Sequence, residues 1–247
     1  MRKLIAAFLL TGTAVVGPAI AADKPYYPPV IEIPDVPDVD YGVSGSFYLR
    51  GSAAGNAMWA KEVFHPTANP RRFDITEYGY GYSVGAGVGY ETGTGLRADV
   101  TVDYLSNEKM GVNVPAGTTG VTPGKHTLSL RSTVVLANAY YDFGFGNGGY
   151  GAAGGAFGYV GAGAGLAFND FITNGPAGSP ADTRDTNASL AAAGMVGVGY
   201  DFGHLVADVG YRALYIDNLQ NKAATAPYSI GSNWVHEIRT TLRYRFN

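Results

Sequence analysis

From Trp234 to Phe246 the chain alternates with a period of two. Trp234, His236, Ile238, Thr240, Leu242, Tyr244 and Phe246 form one face, and Val235, Glu237, Arg239, Thr241, Arg243 and Arg245 the other. Such alternation predicts a β-strand with one apolar and one charged side. The same rule runs through six further segments. Ser46 to Trp59 sets Phe47, Leu49, Ala53, Ala57 and Trp59 against Tyr48, Arg50, Ser52 and Asn56, and Tyr80 to Glu91 sets Tyr80, Tyr82, Val84, Val88 and Tyr90 against a glycine-rich face ending in Glu91. Leu96 to Leu105 sets Leu96, Ala98, Val100, Val102 and Tyr104 against Arg97, Asp99, Thr101 and Asp103. Thr133 to Phe143, Leu190 to Phe202 and Leu205 to Ile216 follow, with Asn138, Asp142, Asp201, Asp208 and Arg212 on their polar faces. An eighth, Gly/Ala-rich strand is predicted near Ala156 to Phe168, and its alternating small residues leave its facing open.

Across the seven strands that can be phased, no Asp, Glu, Lys or Arg falls on the apolar face. A charge at the midplane of a membrane barrel costs about 2–4 kcal/mol, so this exclusion is what lipid contact selects. Aromatic residues close the apolar face at both ends of several strands, as in the girdles of membrane barrels. A soluble barrel has the opposite polarity, with apolar side chains inside. The pattern therefore predicts an all-β, eight-stranded antiparallel up-and-down transmembrane barrel with its charges turned inward.

The inward charges balance. Arg50, Arg97, Arg212, Arg239, Arg243 and Arg245 stand against Glu91, Asp99, Asp103, Asp142, Asp201, Asp208 and Glu237. In a hairpin of the last two strands, antiparallel register brings Asp208 near Arg243, and Arg212 near Arg239 or Glu237. Eight strands leave a bore only wide enough for side chains, so this charge network is expected to fill it, with a charge-lined pore as the alternative. The glycines from Gly81 to Gly89 are expected to make room for long Arg side chains from neighbouring strands. Connections such as Thr92 to Gly95 and Gly203 to His204 are short, whereas Lys61 to Glu77, Ser106 to His126, Asn169 to Asn187 and Asn218 to Asn233 read as long polar loops. Short periplasmic turns and long external loops are the asymmetry of outer-membrane barrels.

The N-terminus supplies the address. Arg2 and Lys3 precede an apolar run, and Ala19 and Ala21 provide a small-residue cleavage site, so residues 1–21 read as a secretory signal peptide. The run is too short and too interrupted by Gly12, Gly17 and Pro18 to span a bilayer, which takes roughly 20 residues. Residues 22–43 carry Pro25, Pro28, Pro29, Pro34 and Pro37 and read as an extended periplasmic tether, or as a docking peptide, before a barrel domain over 44–247. Without the signal peptide, 15 basic side chains face 20 acidic ones, a charge near −5, which argues against nucleic acid as a partner. With no cysteine in an exported chain, closure of the sheet rather than disulfides must hold the fold.

The signal, the tether, the Tyr-Asp-Phe-Gly strand ends at Tyr141–Gly144 and Tyr200–Gly203, the Gly161–Gly165 run and the closing Leu242-Arg243-Tyr244-Arg245-Phe246 together resemble the small outer-membrane β-barrel surface antigens, the opacity-like and porin-like family of alphaproteobacteria. The resemblance covers essentially the whole mature chain. It implies a Gram-negative outer-membrane location, contact with membrane lipid and lipopolysaccharide, and a C-terminal signal at Leu242, Tyr244 and Phe246 read by the barrel-insertion machinery. It also implies a structural or adhesive role, with no cofactor and no catalytic residues.

Rival chemistry is thin. Residues 146–151 satisfy G-x-G-x-x-G, but Gly/Ala alternation rather than a helix follows. His65, His126 and His236 fall at the external end without metal-ligand spacing, and no metal is expected. A lipid-modifying hydrolase would need a His beside a Ser, yet His126 and Ser129 have opposite parity, and Ser132 is the other candidate. Trp59, Phe64, Arg71, Arg72 and Phe73 cluster in or beside the first loop and are the candidates for contact with a host or cell-surface ligand. The expected function is a non-enzymatic outer-membrane barrel with a structural envelope role and loop-mediated adhesion; a narrow pore and a hydrolase are the alternatives.

Overall fold

The computed structural model describes residues 45–60, 62–145, 154–179, 183–221, 228–231 and 233–246. The expected signal peptide, the tether, the glycine motif at 146–151 and Asn247 lie outside them. The described residues form strands β1 (Ser46–Trp59), β2 (Glu62–Phe64), β3 (Arg72–Glu77), β4 (Gly79–Glu91), β5 (Leu96–Val114) and β6 (Gly124–Gly144). They continue as β7 (Gly155–Asn174), β8 (Thr183–Asp201), β9 (Leu205–Ile216), β10 (Leu219–Asn221), β11 (Tyr228–Ile230) and β12 (Asn233–Phe246).

Eight of these close a ring in the order β1, β4, β5, β6, β7, β8, β9, β12, every pair antiparallel, and β12 returns to β1 with Phe47 opposite Phe246 and Trp59 opposite Trp234. Closure leaves the ring no free edge. On its outer face Leu49, Val84, Val88, Val100, Val198, Val209, Ile238 and Leu242 are each about half exposed. Aromatic rims bound this band: Phe47, Tyr90, Tyr141, Phe143, Tyr200, Phe202, Tyr244 and Phe246 at the end with the tight turns, and Trp59, Tyr80, Tyr104, Phe168 and Trp234 at the other. From Phe47 to Trp59 the strand runs about 40 Å, or about 30 Å along the axis at the usual tilt, enough to cross a hydrocarbon core. So much contiguous apolar surface is not carried by a soluble monomer. The molecule is a transmembrane barrel.

The Gly/Ala strand takes a definite facing. Val160, Leu166 and Phe168 of β7 point outward, and Phe157, Tyr159, Ala167, Asn169 and Phe171 are buried inside. Inward glycines on β4 make close approaches possible. A Cβ on Gly85 would lie 1.9 Å from Asp103 Oδ1, and one on Gly89 2.5 Å from Tyr48 Cζ. The space they leave is filled mostly by Asp103 and Tyr48 rather than by arginines.

Two of the expected long loops are largely strand. β5 runs on to Val114, β6 begins at Gly124, β7 reaches Asn174 and β8 starts at Thr183. The polar run after Leu105 hides this because the ladder shifts register between Asn107 and Met110, where Lys109 has φ 65°. The extra residue reverses parity. Thereafter Met110, Val112 and Val114 point inward. Beyond the second aromatic rim both faces invert: the outside carries Glu77, Lys125, Glu108 and Arg131, and the inside becomes apolar.

The remaining short strands extend the other half of the ring. β2, β3, β10 and β11 adjoin β1, β4, β9 and β12 across short breaks, and they pair in the same order, β10 with β11, β11 with β2, β2 with β3 and β3 with β5. Val63, Phe73, Leu219, Tyr228 and Ile230 are buried with Leu105, Leu128, Leu136, Phe171 and Leu214 in one cluster. Together these strands form a cap tier that continues the wall around the apolar zone.

Candidate functional site

Inner-face alternation delivers charges from neighbouring strands to a common level of the bore. Arg212 on β9 and Glu237 on β12 are register partners. Arg212 Nε donates to Glu237 Oε2 at 2.5 Å and its Nη1 to Asp103 Oδ2 at 2.7 Å, while Arg239 reaches Asp103 Oδ1 at 2.7 Å and Glu237 Oε2 at 2.9 Å. Two guanidinium groups and two carboxylates thus alternate in a closed ring. Ser83 Oγ donates to the other Glu237 oxygen at 2.7 Å.

Closer to the turn end, Asp99 accepts from Arg50 Nη1 at 2.8 Å, Tyr48 OH at 2.9 Å and Asn138 Nδ2 at 2.7 Å. Arg50 also donates to Tyr140 OH at 2.8 Å. Arg97 is held to Asp142 by Nε at 2.8 and 2.9 Å, with its guanidinium 3.8 Å from the Tyr140 ring centroid. Arg243 lies 3.3 Å from Glu91, 3.8 Å from Asp208 and 3.9 Å from Asp142, between the rings of Tyr48 and Phe157. Arg245 joins Asp201 at 2.6 Å and contacts Glu91. Every charged side chain named on the inner face from sequence therefore meets an opposite charge.

Sequence reasoning set Tyr48, Ser83 and Asn138 on the inner face without joining them to the network. It missed Tyr140, whose inner parity was its signal, and Tyr159, whose strand carried no such mark. Above the ionic layers, Leu105, Leu136, Leu214 and Val235 are under 1% exposed, so an apolar layer closes the bore on the cap side. The interior is ionic below and mainly apolar above, with Asn56, Asn107, Ser132 and Asn169 buried and hydrogen-bonded among the apolar side chains.

The first-loop candidates do not form one surface. Trp59 sits in the aromatic rim opposite Trp234. Phe64 is half-buried on β2, Arg71 is exposed, and Arg72 is exposed with Glu62 at 3.2 Å. Phe73 is 3% exposed and belongs to the apolar interior, because β3 continues the wall between β2 and β5 with that parity inward. It is not a surface contact. Leu242, Tyr244 and Phe246 all face outward along β12.

The histidines also separate. His236 lies on the outer wall against Tyr211, and His204 stacks on Tyr244 at the turn end. His65 and His126 are buried beside Tyr228 rather than displayed at the surface. Burial, then the charge of His126, holds the His65 pKa below the ordinary imidazole value, and burial pushes the Tyr228 phenol up to about 12. Ser132 Oγ donates to Asn169 at 2.8 Å, and His126 Nε2 faces the Thr122 carbonyl at 2.8 Å, so these two do not form a nucleophile and base.

No protein-family model matches the chain, and no curated protein matches it. Among solved structures it is similar to Neisserial surface protein A, with 19% identity and a TM-score of 0.48 over 82% of this chain and 99% of that one. It is similar to the outer membrane protein OprG from Pseudomonas aeruginosa, at 14% identity and a TM-score of 0.44 over 83% and 98%. A third is Ail, the attachment invasion locus protein of Yersinia pestis, solved with the heparin analogue sucrose octasulfate, at 12% identity and a TM-score of 0.38 over 81% and 99%.

Proposed function

We propose that this chain is a non-enzymatic outer-membrane barrel whose role is structural, a closed and internally locked scaffold in the cell envelope. The observation that carries this reading is the ion-paired interior, whose layers give way to a mainly apolar zone that continues between β2, β3, β10 and β11. A hydrated path needs polar walls or a gap, and the buried Leu105, Leu136, Leu214 and Val235 supply apolar walls at that level. In this reading the tight-turn end faces the periplasm, the charged tier stands outside at the level of lipopolysaccharide head groups, and Leu242, Tyr244 and Phe246 present the insertion signal.

A planar-bilayer recording on detergent-folded protein tests it. The expected result is a band that shifts on boiling and no steady conductance. A shifted band with stable channels would replace the scaffold with a narrow pore.

A second reading, adhesion to a cell-surface ligand, rests on Arg71 and Arg72, exposed together at the cap. Replacing both with Ser is expected to reduce cell-surface binding while leaving the boiling shift unchanged. Undiminished binding would remove this reading.

A further inference from the structure

At the cap end three buried side chains meet that the ionic network does not use. Tyr228 on β11 is 1% exposed and contacts both His65, just after β2, at 2%, and His126 on β6, at 3%. The ring centroids of His65 and Tyr228 are 4.8 Å apart, edge to face, and those of His126 and Tyr228 are 5.8 Å apart. The hydrogen bonds fix one tautomer. A carbonyl can only accept, so His126 Nε2 carries the proton it donates to Thr122 O at 2.8 Å. Its Nδ1 is then the acceptor for the Tyr228 hydroxyl at 3.2 Å. His65 Nδ1 lies 3.3 Å from Thr67 Oγ1, and its main-chain N–H donates to Arg71 O at 2.8 Å.

The same contacts form a joint. Hairpin β10–β11 meets β2 through one register pair, Ser229 opposite Phe64. At its β10 side the Asn218 carbonyl accepts from Asn187 at 3.0 Å and from Ser189 at 3.3 Å. Leu219 and Ile230 of this hairpin line the apolar interior.

We propose that His65, Tyr228 and His126 form a pH-operated latch, which holds the β10–β11 hairpin against β2 and β6 while both imidazoles are neutral and releases it when they are protonated. A proton on His126 Nδ1 removes the acceptor of the Tyr228 hydroxyl, and a second on His65 places two like charges against one buried ring. The charged side chains on the neighbouring elements are mostly at the surface. Around it Arg71, Arg72, Asp74, Glu77, Glu108, Lys109, Lys125, Arg131 and Asp217 are exposed, Glu62 is paired with Arg72, and Asp170 and Asp185 are half-buried on β7 and β8. Residues 115–123 and 175–179, β10 and β11 carry no charged side chain. Burial disfavours the charged form of His65 in the closed joint, so the closed state binds fewer protons at that ring than the released one. Closure is therefore complete above the free imidazole pKa of about 6.5 and is lost as pH falls below it.

The test is independent of the scaffold role. The chain has no native cysteine, so Arg72→Cys and Gln220→Cys take nitroxide labels on the two sides of the joint. Pulsed dipolar distances are measured on the full detergent-folded protein at pH 8 and pH 5. The expected result is a narrow distribution at pH 8 that is lost at pH 5, and one that stays narrow at both in His65→Gln/His126→Gln. A distribution unchanged by acid, or an acid change of full size in the double variant, overturns the latch. The boiling shift verifies folding of each variant. If the double variant does not close its barrel, the single variants His65→Gln and His126→Gln are titrated, and a full acid change in both also overturns it.

Discussion

Arg212 and Glu237 stand opposite each other on β9 and β12, joined Nε to Oε2, at 3% and 1% exposure. Removing one charge from such a ring leaves its partners buried and uncompensated, at a cost of about 3–5 kcal/mol. Glu237→Gln is expected to lose that much, because Arg212 and Arg239 would then share Asp103 alone. Arg212→Met/Glu237→Met keeps the Arg239–Asp103 pair and the charge balance, and should be the more stable of the two variants. Urea titration of the folded band measures both.

Glycine spacing inside the bore yields a second expectation. Gly85→Ala pushes a methyl onto Asp103 Oδ1, whereas Gly51→Ala points into open space on the outer face. The first is expected to destabilise by about 1–3 kcal/mol through overpacking and the second to be nearly neutral. Equal effects would mean that the assigned facing is wrong.

This facing was legible in the sequence wherever charge or aromatic residues marked one parity. At Leu96 to Leu105, Arg97, Asp99 and Asp103 mark the inside without ambiguity. The Gly161–Gly165 run offered no such mark, because both of its faces are small. Its facing came from register with β6, where Tyr140 and Asn138 oppose Gly161 and Gly163. The outer tier was hidden for a different reason. The bulge at Asn107 to Met110 reverses parity inside a polar stretch, so strand continues where alternation seems to stop. Phe73 was misplaced because a short strand inside a polar stretch gives no sign of which of its faces turns inward.

Tyr140 does two jobs that can be separated. Its hydroxyl accepts from Arg50 and its ring lies under Arg97. Tyr140→Phe should cost about 1.5–3 kcal/mol, the range for a hydrogen bond to a charged group. Tyr140→Leu should cost about 2 kcal/mol more, through the lost cation–π contact. Thermal midpoints of the boiling shift read the difference.

The outer wall gives a depth-dependent expectation. Val198→Arg places a charge within the apolar band and should cost about 2–4 kcal/mol. Arg131→Ala, above the rim and loosely paired with Glu108 at 3.8 Å, should change stability by less than about 0.5 kcal/mol.

The inversion of polarity at the rim is the centre of this account, and collision accessibility of single nitroxides in lipid vesicles measures it most directly. Labels at Val198 and Ile238 are expected to be reached by dissolved oxygen and shielded from an aqueous nickel complex, and labels at Lys125 and Arg131 to show the reverse. Nickel access at all four positions, with protein that stays soluble without detergent, would contradict a membrane-spanning barrel.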